Sequence, residues 1–297
     1  MIKPYLRLVR FPAVFGSMSN AFAGYWIGGG YAAWSSLALA LFAAALFVMA
    51  GMALNDIADI EVDRRERPDR PLPSGEIPLS RAWGLVIAFF GVGFACQWLA
   101  NPASAQVGAL LIAAIFLYNF VLKGTFVGPL SMALCRVLNL AAGMALAFPS
   151  LRTFASLPAS SYGALASLGL YVALVTFLAR DEVTGNSPGR VRAYLIGLAA
   201  WFAGWAAYAS TVRGWTALRV AVVLILFAWL LRRPLAALRY APASPASTGR
   251  TVGGMLGAMP VTDVLAMLAA GAPWMWALGG LLWMLPGRWL ARRIAVT

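Results

Sequence analysis

Three aspartates and an asparagine fall on one face of a helix end. The stretch reads Asn55-Asp56-Ile57-Ala58-Asp59-Ile60-Glu61-Val62-Asp63-Arg64. If the helix continues through it, Asp56, Asp59 and Asp63 lie at about 0°, 300° and 340° around the axis, over about 10 Å of its length. Asn55 joins them at about 260°, while Glu61 points away. Mg²⁺ prefers oxygen ligands, usually one or two carboxylates with waters and substrate phosphates. The pattern therefore suits a metal-bridged diphosphate better than a closed protein cage, with Asp56, Asp59 and Asp63 as expected ligands and Asn55 as a polar neighbour of the substrate. Arg64, Arg65, Arg67 and Arg70 follow at once, and Arg64, Arg67 and Arg70 are expected to contact phosphate oxygens. The plainer alternative is a solvated loop of mixed charge, but such loops seldom set three aspartates on one face beside an apolar span. Arg70-Pro71-Leu72-Pro73-Ser74-Gly75 reads as a rigid turn, and its position suggests a lid over the site.

These residues stand out because the rest of the chain is apolar. Of 297 residues, 62% are hydrophobic, and only ten are acidic. Seven of the ten lie between Asp56 and Glu76; the others are Asp181, Glu182 and Asp263. Carboxylates at the edge of hydrocarbon are costly and mark functional sites. The composition is that of an integral membrane protein, so the lipid bilayer is an expected partner. The net charge of +13 is read as positive loops between spans, not as a nucleic-acid surface. The absence of histidine excludes His-based metal sites and Ser-His-Asp chemistry. Cys96 and Cys135 fall inside apolar runs and read as small apolar residues, not a disulfide.

The elements that must position the site are helical. About nine spans of roughly 20 residues are expected, over 12–31, 35–55, 81–100, 104–122, 126–148, 161–180, 193–211, 216–232 and 264–286. The basic start and Ala21-Phe22-Ala23 mimic a signal peptide, but the apolar run continues through Tyr25-Trp26-Ile27, which favours a retained first helix. Pro234–Arg250 reads as a loop. With the N-terminus inside, sixteen Lys and Arg fall in inner segments and six outside, which puts both acidic clusters on the cytoplasmic side. The Arg-rich C-terminus then lies outside, unless 251–270 is itself a short span or a re-entrant piece.

The residues Asn55-Asp56-x-x-Asp59-x-x-x-Asp63-Arg64, followed by Arg70-Pro-Leu-Pro-Ser-Gly75, resemble the first signature of the UbiA superfamily of membrane prenyltransferases. The resemblance covers the whole chain. It implies a single all-α domain, a polytopic helical bundle around a central cavity, in the cell inner membrane with the active site facing the cytoplasm. It also implies Mg²⁺-dependent transfer of an isoprenyl group from its diphosphate to an aromatic or other small acceptor that the sequence does not identify. Tyr118-Asn119-Phe120-Val121-Leu122-Lys123 is similar to the family's Tyr-x-x-x-x-Lys element, so Lys123 is expected at the diphosphate and Tyr118 beside it. An interfacial anchor explains the pair equally well without the family. Arg136, Asn139 and Gly143 share a helix face, and an arginine inside a span must meet a polar cavity or a partner. Arg136 is therefore assigned to the cavity, with Asn139 near the substrate; pairing of Arg136 with an aspartate is the alternative. Asn20 is a weaker cavity candidate, since a helix–helix hydrogen bond explains it about as well.

A second acidic motif departs from the family pattern. The family has Asp-x-x-x-Asp where this chain has Arg180-Asp181-Glu182-Val183-Thr184-Gly185-Asn186. Asp181, Glu182 and Asn186 still offer oxygen to a second Mg²⁺, with Arg180 beside the substrate, but with less charge. This segment, with Cys135-Arg136-Val137-Leu138-Asn139, is most similar to the EboC-type branch. Three other readings accompany the transferase: a non-catalytic prenyl-diphosphate binder supporting a membrane assembly or secondary metabolism, a transporter or channel, for which an aspartate cluster of this kind is not typical, and a terpene cyclase of the same fold. If the second motif is vestigial, Glu182→Ala lowers metal affinity less than Asp59→Ala does, as read by Mn²⁺ titration of the two variants. An equal or larger loss in Glu182→Ala contradicts that reading.

Overall fold

The computed structural model describes residues 2–30, 32–180, 188–211, 217–239 and 245–294. The described residues are helical throughout, with no strand among them. Fifteen helices run in order: α1 (Lys3–Leu8), α2 (Val14–Ile27), α3 (Trp34–Ala58), α4 (Ile60–Glu66), α5 (Leu79–Ala100), α6 (Pro102–Leu117), α7 (Gly128–Ala145), α8 (Leu151–Phe154), α9 (Ala159–Ala179), α10 (Pro188–Thr211), α11 (Ala217–Arg239), α12 (Pro245–Leu256), α13 (Met259–Ala269), α14 (Trp274–Gly279) and α15 (Met284–Arg293). Short 3₁₀ turns precede α2 and α15, and a five-residue π turn, Tyr118–Leu122, closes α6.

Six of the described segments are long and apolar enough to cross a membrane: Trp34–Ala58, Leu79–Ala100, Pro102–Leu122, Gly128–Ala145, Ser160–Ala179 and Thr251–Ala269. Helices α2, α10 and α11 form where spans are expected but are not among those six. The expected span 264–286 is not one helix. The chain breaks after Ala269, where Gly271 takes φ 82° and Pro273 starts the next helix. The apolar segment is instead Thr251–Ala269, and α14 and α15 return along α2. Gly287 in α15 faces Pro12 and Phe15, which brings the Arg-rich tail to the end of the bundle that holds Arg10. Of the expected loop 234–250, the described residues are helical, since α11 continues to Arg239 and α12 begins at Pro245; 240–244 lie outside the described residues.

Backbone approach between α2 and α7 sets the centre of the bundle. A Cβ on Gly24 would run into the Leu140 carbonyl, and one on Gly143 into the Ala21 carbonyl. Small residues permit such contacts, and close packing drives helix association in lipid. Gly143 therefore serves this contact, not the cavity. Asn101 caps α6 by accepting from the backbone N–H of Ala103 and Ser104, and its amide donates to the Phe148 carbonyl at 3.0 Å. Ser104 Oγ donates to the Ala142 carbonyl at 2.8 Å. These bonds fix α6 against α7. About two thirds of the α7 span is buried, against about a third of α5 and α6, so α7 is central and the other two present an apolar face outward.

The two ends of the bundle differ. At one end, Trp26 stacks on Trp276 with centroids 5.2 Å apart, and Tyr25 and Trp34 complete the cluster. Such rings gather at membrane interfaces. At the other end lie Arg10, the acidic cluster and α15. Gly143→Leu is expected to destabilise the protein by about 1–3 kcal/mol through overpacking, seen as a lower thermal unfolding midpoint in detergent. Gly91→Leu is the control, because nothing lies within 4 Å of a Cβ there. Equal midpoints for the two variants contradict the close-contact account.

Candidate active site

The acidic cluster forms where α3 ends. The α-helix is interrupted at Asp59 (φ −90°, ψ 3°), yet the i→i−4 bonds persist: Asp59 N donates to Asn55 O at 3.0 Å and Asp63 N to Asp59 O at 2.8 Å. The aspartates thus stay on nearly the face expected of a continuous helix. Asp56 and Asp63 are buried and Asp59 is partly exposed.

Each aspartate holds a cation. Arg70 Nη1 donates to Asp63 Oδ2 at 2.6 Å and to Asp56 Oδ1 at 3.3 Å. Arg10 Nη2 meets the same Asp56 Oδ1 at 3.1 Å. Lys123 Nζ donates to Asp59 Oδ2, where Asn55 Nδ2 also donates at 3.4 Å. Asn55 Nδ2 reaches Asn119 Oδ1 at 3.2 Å, and Asn119 Nδ2 donates to the Ile115 carbonyl at 2.8 Å. Arg10 enters the site from the left-handed region, with φ 44° and ψ 55°. That conformation is costly for a residue with a Cβ and persists only where its surroundings fix it.

Beyond these pairs opens a cavity of about 370 Å³ between α3, α6, α7, α9, α12 and α13. Arg10, Asn55, Tyr118, Asn119, Lys123, Arg136 and Asn139 supply its polar lining; Phe47, Met52, Leu111, Val172, Val175 and Met259 are among its apolar walls. The π turn explains how α6 contributes both Tyr118 and Lys123. In an α-helix they would lie about 140° apart; here Lys123 N closes on Tyr118 O at 2.8 Å, a wider turn that brings the fifth residue back toward the first. Asn139 also donates to the Ser17 carbonyl at 2.8 Å. Arg136 makes no ion pair within 4 Å among the described residues.

Several expectations are corrected. Asp56, Asp59 and Asp63 do not line the cavity; Arg10 and Lys123 do, and stand between it and the acids. Arg70 is buried and clasps the Asp56 and Asp63 carboxylates, and it does not line the cavity. Arg64 is exposed and pairs with Glu61 on its own helix, and Arg67 is exposed. Neither lines the cavity, because α4 turns that face to solvent. The Arg70–Gly75 turn is ordered by Ser74 N to Arg70 O at 3.0 Å and Ile77 N to Pro71 O at 3.0 Å. Its buried Leu72 and Ile77 make it a plug that seats Arg70, and none of it lines the cavity. Arg180 is exposed and donates to the Thr125 carbonyl, off the cavity. Asn20 is absent from the lining and donates to Asp263. Asp181, Glu182 and Asn186 lie outside the described residues. The sequence reading missed Arg10 and Asn119; Asn119 carries a signal in its place beside Tyr118, whereas Arg10, 46 residues before Asp56, reads only as a flanking charge.

The donor set fits a metal held jointly with a ligand. No three acidic, Cys or His side chains among the described residues converge to hold an ion unaided. Both guanidinium contacts to Asp56 fall on Oδ1, and both contacts to Asp59 fall on Oδ2. Each carboxylate keeps an oxygen outside these contacts, as an open Mg²⁺ site completed by phosphate oxygens needs.

Comparison with known proteins places this geometry. The model of the UbiA prenyltransferase family matches residues 17–242. The digeranylgeranylglyceryl phosphate synthase of Sulfurisphaera tokodaii is 36% identical over 143 residues, 46% of this chain and 50% of that protein. The synthase of the same name from Methanopyrus kandleri is 38% identical over 87 residues, 29% and 32% of the two chains. Half or less of these relatives' length is thus matched. A UbiA homolog from Aeropyrum pernix K1 superposes with a TM-score of 0.69 at 20% identity, over 87% of this chain and 98% of its own. A UbiA homolog from Archaeoglobus fulgidus bound to DMAPP and Mg²⁺ superposes at 0.64 and 18% identity, over 87% and 98%. These two likenesses carry the fold.

Arg70→Ala leaves two buried carboxylates short of a partner. The expected loss is about 3 kcal/mol or more, read by chemical or thermal unfolding. Arg64→Ala removes an exposed pair and is expected to cost less than about 1 kcal/mol. Comparable losses in the two variants contradict the assignment of Arg70 as a buried clasp.

Proposed function

The chain belongs to the UbiA prenyltransferase family, and from that premise we propose that it transfers an isoprenyl group from an isoprenyl diphosphate to a small acceptor, with Mg²⁺ as cofactor. One observation carries the reading: a cavity with cationic and amide groups at the acidic end and apolar walls beyond. Arg10 and Lys123 line the cavity while paired to Asp56 and Asp59. Arg10 and Lys123 are placed to bind the oxygens of an entering diphosphate, and Asp56 and Asp59, with Asn55 beside them, would hold the metal. When bound, Mg²⁺ supplies neutralisation of the charge that develops on the departing diphosphate. The apolar walls receive the prenyl chain and keep water from the allylic carbon. Arg70 and Asp63 keep the helix end in register beneath.

The relatives' shared name describes a glyceryl phosphate bearing two geranylgeranyl groups. We infer the corresponding chemistry here: geranylgeranyl diphosphate as donor and geranylgeranylglyceryl phosphate as acceptor. Arg136, in the cavity wall and without an ion pair among the described residues, is the group suited to the acceptor's phosphate. The EboC-type assignment rests on the Arg180–Val183 and Cys135–Asn139 sequences alone, and the relatives named above carry another name. The basic residues of the inner segments support an inner-membrane protein whose site opens to the cytoplasm. The altered Glu182 and Asn186 favour one competing reading, a protein that binds the diphosphate without turning it over.

The test is pyrophosphate release by the purified full-length chain in lipid, with geranylgeranyl diphosphate and the acceptor, in Mg²⁺ and in chelator. Release is expected to need Mg²⁺ and to fall by at least about 100-fold in Asp59→Ala, with normal insertion. Full activity in Asp59→Ala overturns the site assignment. Metal-dependent binding without release in the wild type favours the competing reading.

A further inference from the structure

Asp263 lies in α13, one turn beyond the cavity-lining Met259, and is 2% exposed. Both of its oxygens are engaged from α2: Ser19 Oγ donates to Oδ2 at 2.5 Å and Asn20 Nδ2 to Oδ1 at 2.6 Å. A buried carboxylate inside an apolar span is costly unless a partner balances it. Among the described residues no cation lies within 4 Å of it. Among the described residues, Arg136 is the cation whose charge reaches Asp263, and Asp263 the carboxylate whose charge reaches Arg136. Helix α2 packs against both α7 and α13; its Ser17 lines the cavity with Asn139, and Asn139 donates to the Ser17 carbonyl at 2.8 Å.

Two charges of opposite sign thus sit on two helices that both pack against α2, Arg136 lining the cavity from α7 and Asp263 buried on α13. We propose that Asp263 is a positioning residue for Arg136: held by Ser19 and Asn20, its carboxylate is the countercharge that keeps the guanidinium in the cavity wall, free to bind a phosphate. The separation matters. A direct ion pair would occupy the guanidinium's donors, whereas a carboxylate beyond ion-pair distance balances its charge and leaves those donors to the ligand. The ligand assigned to Arg136 rests on the function proposed above; the charge pairing does not.

A double-mutant cycle on the full-length protein in lipid separates the two. Asp263→Asn keeps the shape, turns one acceptor oxygen into a donor and removes the charge, and Arg136→Met removes the other charge. The altered hydrogen bond is common to both backgrounds and cancels in the cycle. Thermal unfolding is the first readout and needs no substrate. Asp263→Asn is expected to lower the midpoint in the wild-type background and to lower it much less, or raise it, with Arg136→Met. An equal loss in both backgrounds overturns the pairing, because a purely helix-packing role through Ser19 and Asn20 is indifferent to Arg136. If Asp263→Asn does not accumulate as folded protein, the double variant decides: its recovery supports the pairing, and its absence contradicts it. The second readout is kinetic. Asp263→Asn is expected to raise the KM of the phosphate-bearing acceptor about tenfold, with the KM of the donor unchanged. A change confined to the donor overturns the link to the acceptor, whatever the thermal cycle shows.

Discussion

Asp56 is the point from which the cavity mouth is organised, because its buried carboxylate must be balanced where the helix leaves the apolar region. Two arginines meet it on one oxygen, Arg10 from the N-terminal turn and Arg70 from the loop after α4. Neither arrives by chance of local sequence. Arg10 reaches it from a left-handed backbone, and Arg70 is carried by a turn whose Leu72 and Ile77 are buried. The carboxylate thus fixes the two segments that flank the site, and those segments give the end of α3 its shape. Desolvation sets the stakes: a buried charge without partners is far more costly than the net worth of the pair itself.

The same logic accounts for the division of labour among the basic residues. Arg70 is spent on structure, since it bridges Asp56 and Asp63 away from the cavity. Arg10 and Lys123 are paired yet line the cavity, so they can exchange one anion for another. Arg136 carries no ion pair at all among the described residues, and Asp263 is the countercharge proposed for it. These three states, locked, exchangeable and free, follow a path from the end of α3 into the apolar cavity. They are what an amphipathic diphosphate needs if its charged end is to be held and its hydrocarbon end buried.

How much of this could be read from the sequence depended on whether the partners were local. The spacing of Asp56, Asp59 and Asp63 on one helix face was legible, as was an all-helical membrane bundle, since both follow from helical periodicity and apolar length. Lys123 and Tyr118 were legible as a pair, although the π turn that aligns them was not. Arg10 was not legible, because its role depends on a contact 46 residues away and on an unusual backbone. Arg70 looked like Arg64 and Arg67 in the sequence, and only burial separates the clasp from two exposed neighbours. The span at 264–286 was misplaced because hydropathy runs on through Gly271 and Pro273, whereas the backbone turns there. Asn20 and Asp263 each looked solitary; the bond between them spans 243 residues.

The central claim is that the carboxylates of α3 hold a metal only together with a diphosphate, which takes over their cations. Mn²⁺ bound to the full-length protein in lipid, followed by electron paramagnetic resonance with and without inorganic pyrophosphate, tests it directly. The account predicts weak Mn²⁺ binding by the protein alone and markedly tighter binding with pyrophosphate present, with ³¹P hyperfine coupling in the bound ion's spectrum. Tight binding of Mn²⁺ by the protein alone, unchanged by pyrophosphate and without phosphorus coupling, contradicts it.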